Sequence, residues 1–234
     1  LILSTGTIPL MINFPVLTNL RNSNKKVKNI TGKINLKYDH RNEFFFNDSF
    51  DEDKINYTQN YNNEQSLSPA FKNHLNEVIE IIKSNFKNKD KIIEIGCGKG
   101  SFFKILYKSY KNLRGFDTTY NGKNKKIFKR YINEKDIIDE KLIILRHVLE
   151  HIPNPYDFLQ FLKSISVKDP YILIEVPDFE WIKKNETFFD ISYEHVNYFT
   201  MKTFLNLFSK KLFFKKKVFG KQYLLVFAKL NDLN

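Results

Sequence analysis

From Ser68-Pro69 onward the apolar residues fall into two periods. Phe71, Leu75, Val78, Ile79 and Ile82 recur at helical spacing with polar residues between them, which predicts an amphipathic helix leading into the core. Short apolar runs follow: Lys91-Ile92-Ile93-Glu94-Ile95, Leu113-Arg114-Gly115-Phe116-Asp117, Leu142-Ile143-Ile144-Leu145 and Tyr171-Ile172-Leu173-Ile174-Glu175-Val176. These read as four strands. Helices are expected between and after them, through Phe102, Phe103, Ile105 and Leu106, over 155–165 through Phe158, Leu159 and Leu162, and over 203–208. The segments 213–218 and 223–228 predict a closing hairpin around Gly220. Alternating strands and helices imply an α/β fold with a doubly wound, mostly parallel sheet.

Residues 1–60 lack a sustained helical period and carry the aromatic string Phe44-Phe45-Phe46. They predict a small, irregular or β-rich N-terminal lobe, with 61–234 forming the main domain. The apolar run 1–17 is broken by Ser4-Thr5-Gly6-Thr7, Pro9 and Pro15 and has no basic leader, so neither a signal peptide nor a membrane span is expected there. No other stretch approaches ~18 uninterrupted apolar residues. The first residue is Leu, so further N-terminal sequence is expected before it.

Composition bounds the class. A chain of 234 residues with 42% hydrophobic and 27% charged residues is large enough to bury a core and argues against wholesale disorder. The net charge of +12 would ordinarily suggest nucleic acid or an anionic surface. Here Lys is scattered and accompanied by abundant Asn, Ile and Phe, the bias AT-rich coding gives any protein. The clusters at Lys25-Lys26, 123–126 and 215–217 read as solvated surface. A nucleotide-sugar diphosphate would suit such charge equally well. The lone cysteine, Cys97, excludes an intramolecular disulfide and a Cys-rich zinc site, and fits a reducing cytoplasm.

The chemistry concentrates in Glu94-Ile95-Gly96-Cys97-Gly98-Lys99-Gly100. In doubly wound sheets a ligand lies beyond the carboxyl ends of the strands, where the first strand turns through glycines into a helix. Gly96, Gly98 and Gly100 let the backbone approach an adenosine-containing ligand closely. Their spacing is tighter than the dinucleotide pattern Gly-x-Gly-x-x-Gly, which weakens a nicotinamide reading. Asp117, about 20 residues on at the end of the next strand, is placed to accept both ribose hydroxyls. Cys97, between glycines with no base adjacent, reads as a small filler beside the ligand.

Together, Glu94 to Gly100, Gly115-Phe116-Asp117 and Arg146-His147-Val148-Leu149-Glu150-His151-Ile152 resemble the class I S-adenosylmethionine-dependent methyltransferases, which have a Rossmann-like fold. Tyr61-Asn62-Asn63-Glu64-Gln65-Ser66 and Tyr193-Glu194-His195 narrow the resemblance to the sugar C-methyltransferases of deoxysugar biosynthesis, over roughly residues 35–228. The resemblance implies S-adenosyl-L-methionine as cofactor, with Gln65 closing over it and Arg146-His147 beside its methionine moiety. It also places Glu194-His195 in the substrate cavity as acid/base residues.

Methyl transfer needs an aligned nucleophile and a group to take its proton, a task for histidine or a carboxylate. The candidates are His147, His151, Glu194 and His195, with His195 expected as general base and Glu194 polarising or binding substrate. Tyr193 and Tyr198 are candidate hydroxyl donors or packing aromatics. Consecutive residues on an extended segment point to opposite sides, so Glu194 and His195 reach one substrate together only from a loop. Imidazoles with Glu150 and Glu194 raise a metal-site reading, but no resident metal is expected.

Two departures from the resembled family stand out. Asp39 and Asn42 occupy the places of a zinc-binding Cys-x-x-Cys pair, so the N-terminal lobe reads as a degenerate zinc-ribbon-like unit held by packing. The large C-terminal domain expected after Phe219-Gly220-Lys221-Gln222 does not follow within this sequence. That departure leaves the substrate open; the leading expectation is a small molecule, foremost a sugar, nucleotide sugar or surface-polysaccharide precursor, methylated on carbon, oxygen or nitrogen. A nucleic-acid methyltransferase is the alternative enzyme reading, demoted because Arg146-His147-Val148-Leu149 stands where Asn/Asp-Pro-Pro-Tyr/Phe would be. A non-catalytic cofactor-binding partner subunit is the alternative outside enzymes.

Overall fold

The computed structural model describes residues 12–16, 30–55 and 68–234. In chain order the elements are β1 (Ile12–Pro15), β2 (Thr31–Ile34), β3 (Leu36–Asp39), β4 (Phe44–Asn47), α1 (Pro69–Asn85), β5 (Ile92–Ile95), α2 (Ser101–Leu106), β6 (Leu113–Phe116) and β7 (Ile127–Phe128). They continue as β8 (Leu142–Arg146), α3 (Pro155–Ser164), β9 (Tyr171–Pro177), α4 (Phe179–Asn185), β10 (Asn197–Tyr198), α5 (Met201–Leu207), β11 (Leu212–Val218) and β12 (Tyr223–Lys229).

The central sheet has the order β11-β12-β9-β8-β5-β6-β7. Its strands from β9 to β7 are parallel, and the β11–β12 hairpin adds antiparallel to β9. Period-two alternation explains why the strands read as unbroken apolar runs: both faces are buried. Ile93, Ile95, Ile143, Leu145, Ile172 and Ile174 face α3 and α5. Ile92, Leu142, Ile144 and Leu173 face α1 and α2. The α1 face is the predicted one, with Phe71, Leu75, Val78, Ile79 and Ile82 all buried and Ser68 capping the helix. The sheet order reverses at β5, so the ends of β5 and β8 open the crevice where doubly wound sheets take ligands.

The described part of the N-terminal lobe is β-rich. β1 pairs with β2, and β3 with β4. The lobe is also joined to later chain, since β4 takes β10 as its other neighbour and the Thr203 hydroxyl donates to the Glu43 carbonyl at 2.8 Å. Asp39 and Asn42 stabilise the β3–β4 turn themselves: Asp39 Oδ1 accepts from the backbone N–H groups of Arg41 and Asn42, and the Asn42 amide donates to Asp39 Oδ2 at 2.9 Å. The expected lobe boundary at 60/61 and Gln65 lie outside the described residues, as do Tyr61 to Ser66. Among the described residues no helix is long and apolar enough to cross a membrane.

Candidate active site

A cavity of about 630 Å³ lies over the carboxyl ends of β5, β6 and β8. Its floor is the glycine turn. Gly96, Gly98 and Gly100 have φ of 75°, 55° and 82°, and Gly100 leads directly into α2. At Gly96 a Cβ would lie 2.3 Å from Val148 Cγ2, so the loop packs too closely against the segment after β8 for any side chain. At Gly98 a Cβ would meet nothing within 4 Å among the described residues. That open side is where a ligand can press against bare backbone.

Asp117, just past β6, ties the two loops together. Its Oδ2 accepts from the Gly98 N–H at 2.7 Å, and its Oδ1 accepts from the Thr119 N–H and hydroxyl. Cys97 is buried, and burial, with Glu94 and Asp117 nearby, pushes its thiol far above the ordinary range. It is a space-filling group. Glu94 is buried in β5, and burial with the negative charge of Asp117 raises it to about 8 against the pull of Arg146. Among the described residues its Oε2 has no hydrogen-bond partner.

Period two also puts charge in the sheet. Glu94, Arg146 and Glu175 share the face of Ile92, Ile144 and Leu173, and Arg146 and Glu175 are neighbours in register. Arg146 donates to both Glu175 oxygens, at 2.8 and 3.1 Å, and lies over the Phe102 ring at 4.3 Å. His74 of α1 and His147 approach Glu175 Oε1 at 2.7 and 3.0 Å. Burial alone would raise Glu175, but these partners hold its carboxyl well below the usual range. For His147 burial disfavours the cation, yet Glu150 and Glu175 outweigh it and lift the imidazole to about 9. His147 also has φ 52°, which bends the chain into the cavity.

At the far wall His151 and His195 meet edge to face, their ring centroids 5.0 Å apart. His151 Nδ1 contacts the Glu194 carbonyl at 2.8 Å, and His195 Nδ1 the Asp190 carbonyl at 3.0 Å. A carbonyl only accepts, so each Nδ1 carries a proton, and whenever a ring is neutral its lone pair lies on Nε2. Burial and the neighbouring His151 lower His195 to about 4, despite Glu150. The ring is neutral near pH 7, able to take a proton or bind a cation.

Residues 70–211 match the family described as Methyltransferase domain. The chain belongs to that family. Among solved structures it resembles the N-methyltransferase NodS from Bradyrhizobium japonicum WM9 (13% identity, 70% of this chain and 98% of that one, TM-score 0.50). It also resembles the methyltransferase domain of bacterial CtHen1 (17% identity, 68% and 99%, TM-score 0.52) and a putative O-methyltransferase from Nostoc punctiforme PCC 73102 (13%, 70% and 58%, TM-score 0.52). At these identities the likeness is one of fold. A curated relative, protein Ycf2 of Physcomitrium patens, is 29% identical over 219 residues, covering 86% of this chain; the chain spans 9% of that protein's length.

Residues 70–211 thus form a methyltransferase domain, and among the described residues its cavity fits the expected cofactor, S-adenosylmethionine: an open glycine cradle, a buried carboxylate with an unpartnered oxygen at Glu94, and Asp117 at the next strand end. When bound, the cofactor supplies an electrophilic methyl group. The cavity brings together Glu94, Gly96, Cys97, Gly98, Asp117, Arg146, His147, His151 and His195 of the expected site, while Gly100 supports it from the start of α2. Three expectations shift. Tyr193 is fully buried beneath the N-terminal lobe, its hydroxyl accepting from the Asp51 N–H at 2.8 Å and its ring 5.4 Å from that of Phe50. It packs the lobe and does not face the cavity. Glu194 is also buried away from the lining; its carbonyl orients His151, and its charge acts on His195 from behind the cavity wall. Tyr198 is buried too, donating to the Ser192 carbonyl at 3.2 Å. Sequence reasoning missed His74 and Glu175. A carboxylate inside an apolar strand was the available signal for Glu175, because such a charge requires partners.

Proposed function

We propose that this methyltransferase acts on a hydroxylated small molecule, a sugar, nucleotide sugar or related polysaccharide precursor, and that the acceptor is activated at His195 with His151 beside it. The observation that carries this reading is the pair of imidazoles with both Nδ1–H groups committed to carbonyls, across one cavity from the glycine turn. A hydroxyl becomes a competent nucleophile only as it sheds its proton, and a neutral imidazole with a defined lone pair is suited to that environment. Tyr131, 71% exposed at the cavity wall, offers a ring face to a sugar or base, beside Arg130, which Asp136 holds through two hydrogen bonds of 2.6 Å. A nucleotide-sugar pool places the reaction in the cytoplasm.

Calorimetric titration with S-adenosylmethionine and S-adenosylhomocysteine tests the cofactor end, and a labelled-methyl screen over nucleotide sugars tests the acceptor. We expect His195→Ala to lower kcat at least a hundredfold with S-adenosylhomocysteine affinity unchanged. Full activity in that variant removes His195 from the chemistry. Cofactor binding with no sugar methylated removes the sugar reading.

A further inference from the structure

Glu150 presents a problem that proton transfer alone does not solve. It is 1% exposed, and among the described residues neither carboxylate oxygen has a hydrogen-bond partner. Its Oε1 lies 3.4 Å from His147 Nδ1, a charge contact beyond good hydrogen-bonding distance. The His147 imidazolium gives this carboxylate one counter-charge on the Oε1 side, but a carboxylate taken out of water also needs a partner on its other oxygen, and a coordinated ion would supply it. Glu150, His151 and His195 each offer one ligand atom, and these atoms lie within 4.8 Å of one another. Ligands about 2.1 Å from one ion are roughly 3.4 Å apart in a tetrahedral site, so small side-chain rotations close the set.

The imidazoles are oriented for the same purpose. Metal-bound histidines commonly donate their other ring N–H to a carbonyl or carboxylate, which fixes the tautomer and the ring plane. His151 and His195 do this through Glu194 O and Asp190 O, on opposite sides of the cluster. The side-chain amide of Asn197 adds a further brace, its Nδ2 donating to the Ile152 carbonyl at 2.6 Å.

We propose that Glu150, His151 and His195 bind one divalent first-row cation, with open coordination positions facing the cavity that hold the methyl acceptor through adjacent oxygens. Two imidazoles and one carboxylate suit Mn²⁺, Fe²⁺, Co²⁺ or Zn²⁺ better than Mg²⁺, which prefers an all-oxygen shell. A Lewis acid there lowers the pKa of an oxygen donor that it touches. With its Nε2 on the cation, His195 activates the acceptor through the ion and not as a base, the acceptor's proton leaving to solvent; the acceptor half of the inference rests on the reading of His195 as the acceptor-activating residue, and cation binding by the trio does not.

The test is Mn²⁺ titration of the tag-free protein, followed by calorimetry and by the loss of the free-ion electron paramagnetic resonance signal. One ion per chain at micromolar affinity is expected in the wild type, weakened at least tenfold by Glu150→Gln and by His195→Ala. Circular dichroism and urea unfolding are measured for each variant to show that it folds, and the second variant carries the test if the first does not. Absence of saturable Mn²⁺ or Zn²⁺ binding below millimolar concentration overturns the site, as does binding undiminished in both variants. S-adenosylhomocysteine bound without any cation site sinks this inference alone. A cation site in a protein that binds no cofactor sinks the methyltransferase reading and leaves the metal site standing.

Discussion

Gly96→Ala should be strongly destabilising. Two costs combine. At φ 75° an alanine occupies the left-handed region, which costs ~1–2 kcal/mol. Its Cβ would also be 2.3 Å from Val148 Cγ2, where ordinary contact begins at 3.4 Å, so the overlap exceeds 1 Å. Overpacking of that kind costs ~1–3 kcal/mol, and the two together give ~2–5 kcal/mol. The decomposition can be checked because the obstruction is a single methyl. Trimming Val148 to alanine removes Cγ2 and leaves Cβ at 3.5 Å, an ordinary contact. Val148→Ala alone should cost ~1–2 kcal/mol. In the double variant the clash disappears while the backbone term remains, so the two changes should be non-additive by ~1–3 kcal/mol in the favourable direction. Gly98→Ala is the control for backbone strain. With φ 55° and nothing within 4 Å it should cost only ~1–2 kcal/mol, yet weaken S-adenosylhomocysteine binding because its new methyl fills the ligand's side of the loop. Urea unfolding of the four proteins gives the stabilities, and calorimetry the affinities. Additivity of Gly96→Ala and Val148→Ala within ~0.5 kcal/mol would refute the steric account.

Three further outcomes follow from buried groups. Glu94 is raised in the fold to about 8, so its protonated form is favoured there: relative to a neutral side chain its contribution is neutral below about 4.5 and becomes destabilising as pH climbs to 8. Glu94→Gln should therefore stabilise the cofactor-free protein by an amount growing to ~3–5 kcal/mol at pH 9, measured by urea unfolding at pH 5, 7 and 9; equal curves at all three would refute it. Cys97, with its thiol pushed up by burial, should react with iodoacetamide at pH 8 only at the rate of unfolding, and Cys97→Ala should retain methyl transfer; fast labelling of the native protein would contradict this. Tyr193→Phe loses one hydrogen bond to the Asp51 N–H, ~1 kcal/mol of stability, and should leave kcat within threefold, whereas a hundredfold loss would return the hydroxyl to the chemistry.

Much of the fold is written in local periodicity. The 3.6-residue pattern over 69–85 and the period-two runs of β5, β6, β8 and β9 gave correct elements to within a residue or two, since both faces of the sheet demand apolar side chains. What periodicity does not carry was lost. α4 begins at an Asp178 cap and has only Phe179 and Ile182 buried, too short a stripe to stand out. β7 and β10 are two-residue strands that exist only because β6 and β4 present free edges. The glycine turn and Asp117 were legible because a ligand approaching bare backbone requires those residue types in that order. Tyr193-Glu194-His195 shows the limit: residue type alone made all three candidates, but the turn at 193–194 buries Tyr193 and Glu194 while His195 lines the cavity. Glu175 acquires its meaning only from His74, 101 residues away in sequence.

The two ends of the cavity differ in one physical respect, the charge given to an imidazole. His147 and His195 have the same side chain, yet one is lifted to about 9 and the other lowered to about 4. Both are partly enclosed, and burial opposes the cation in each. The difference lies in their contacts. His147 touches the carboxylates of Glu150 and Glu175, whereas His195 gives its Nδ1–H to a neutral carbonyl and faces a second imidazole. The cofactor end is thereby a closed ion cluster around Glu175, which holds the strained His147 backbone and fixes the wall against which the glycine turn packs. The acceptor end keeps a lone pair on a neutral ring. Glu150 belongs to both, because one oxygen lies beside His147 while the carboxylate as a whole completes the set with His151 and His195. A change at Glu150 should therefore register at both ends, in cofactor affinity through His147 and in acceptor turnover through His195. A change at His195 should register only in turnover, and that asymmetry identifies Glu150 as the residue coupling the two ends of the site.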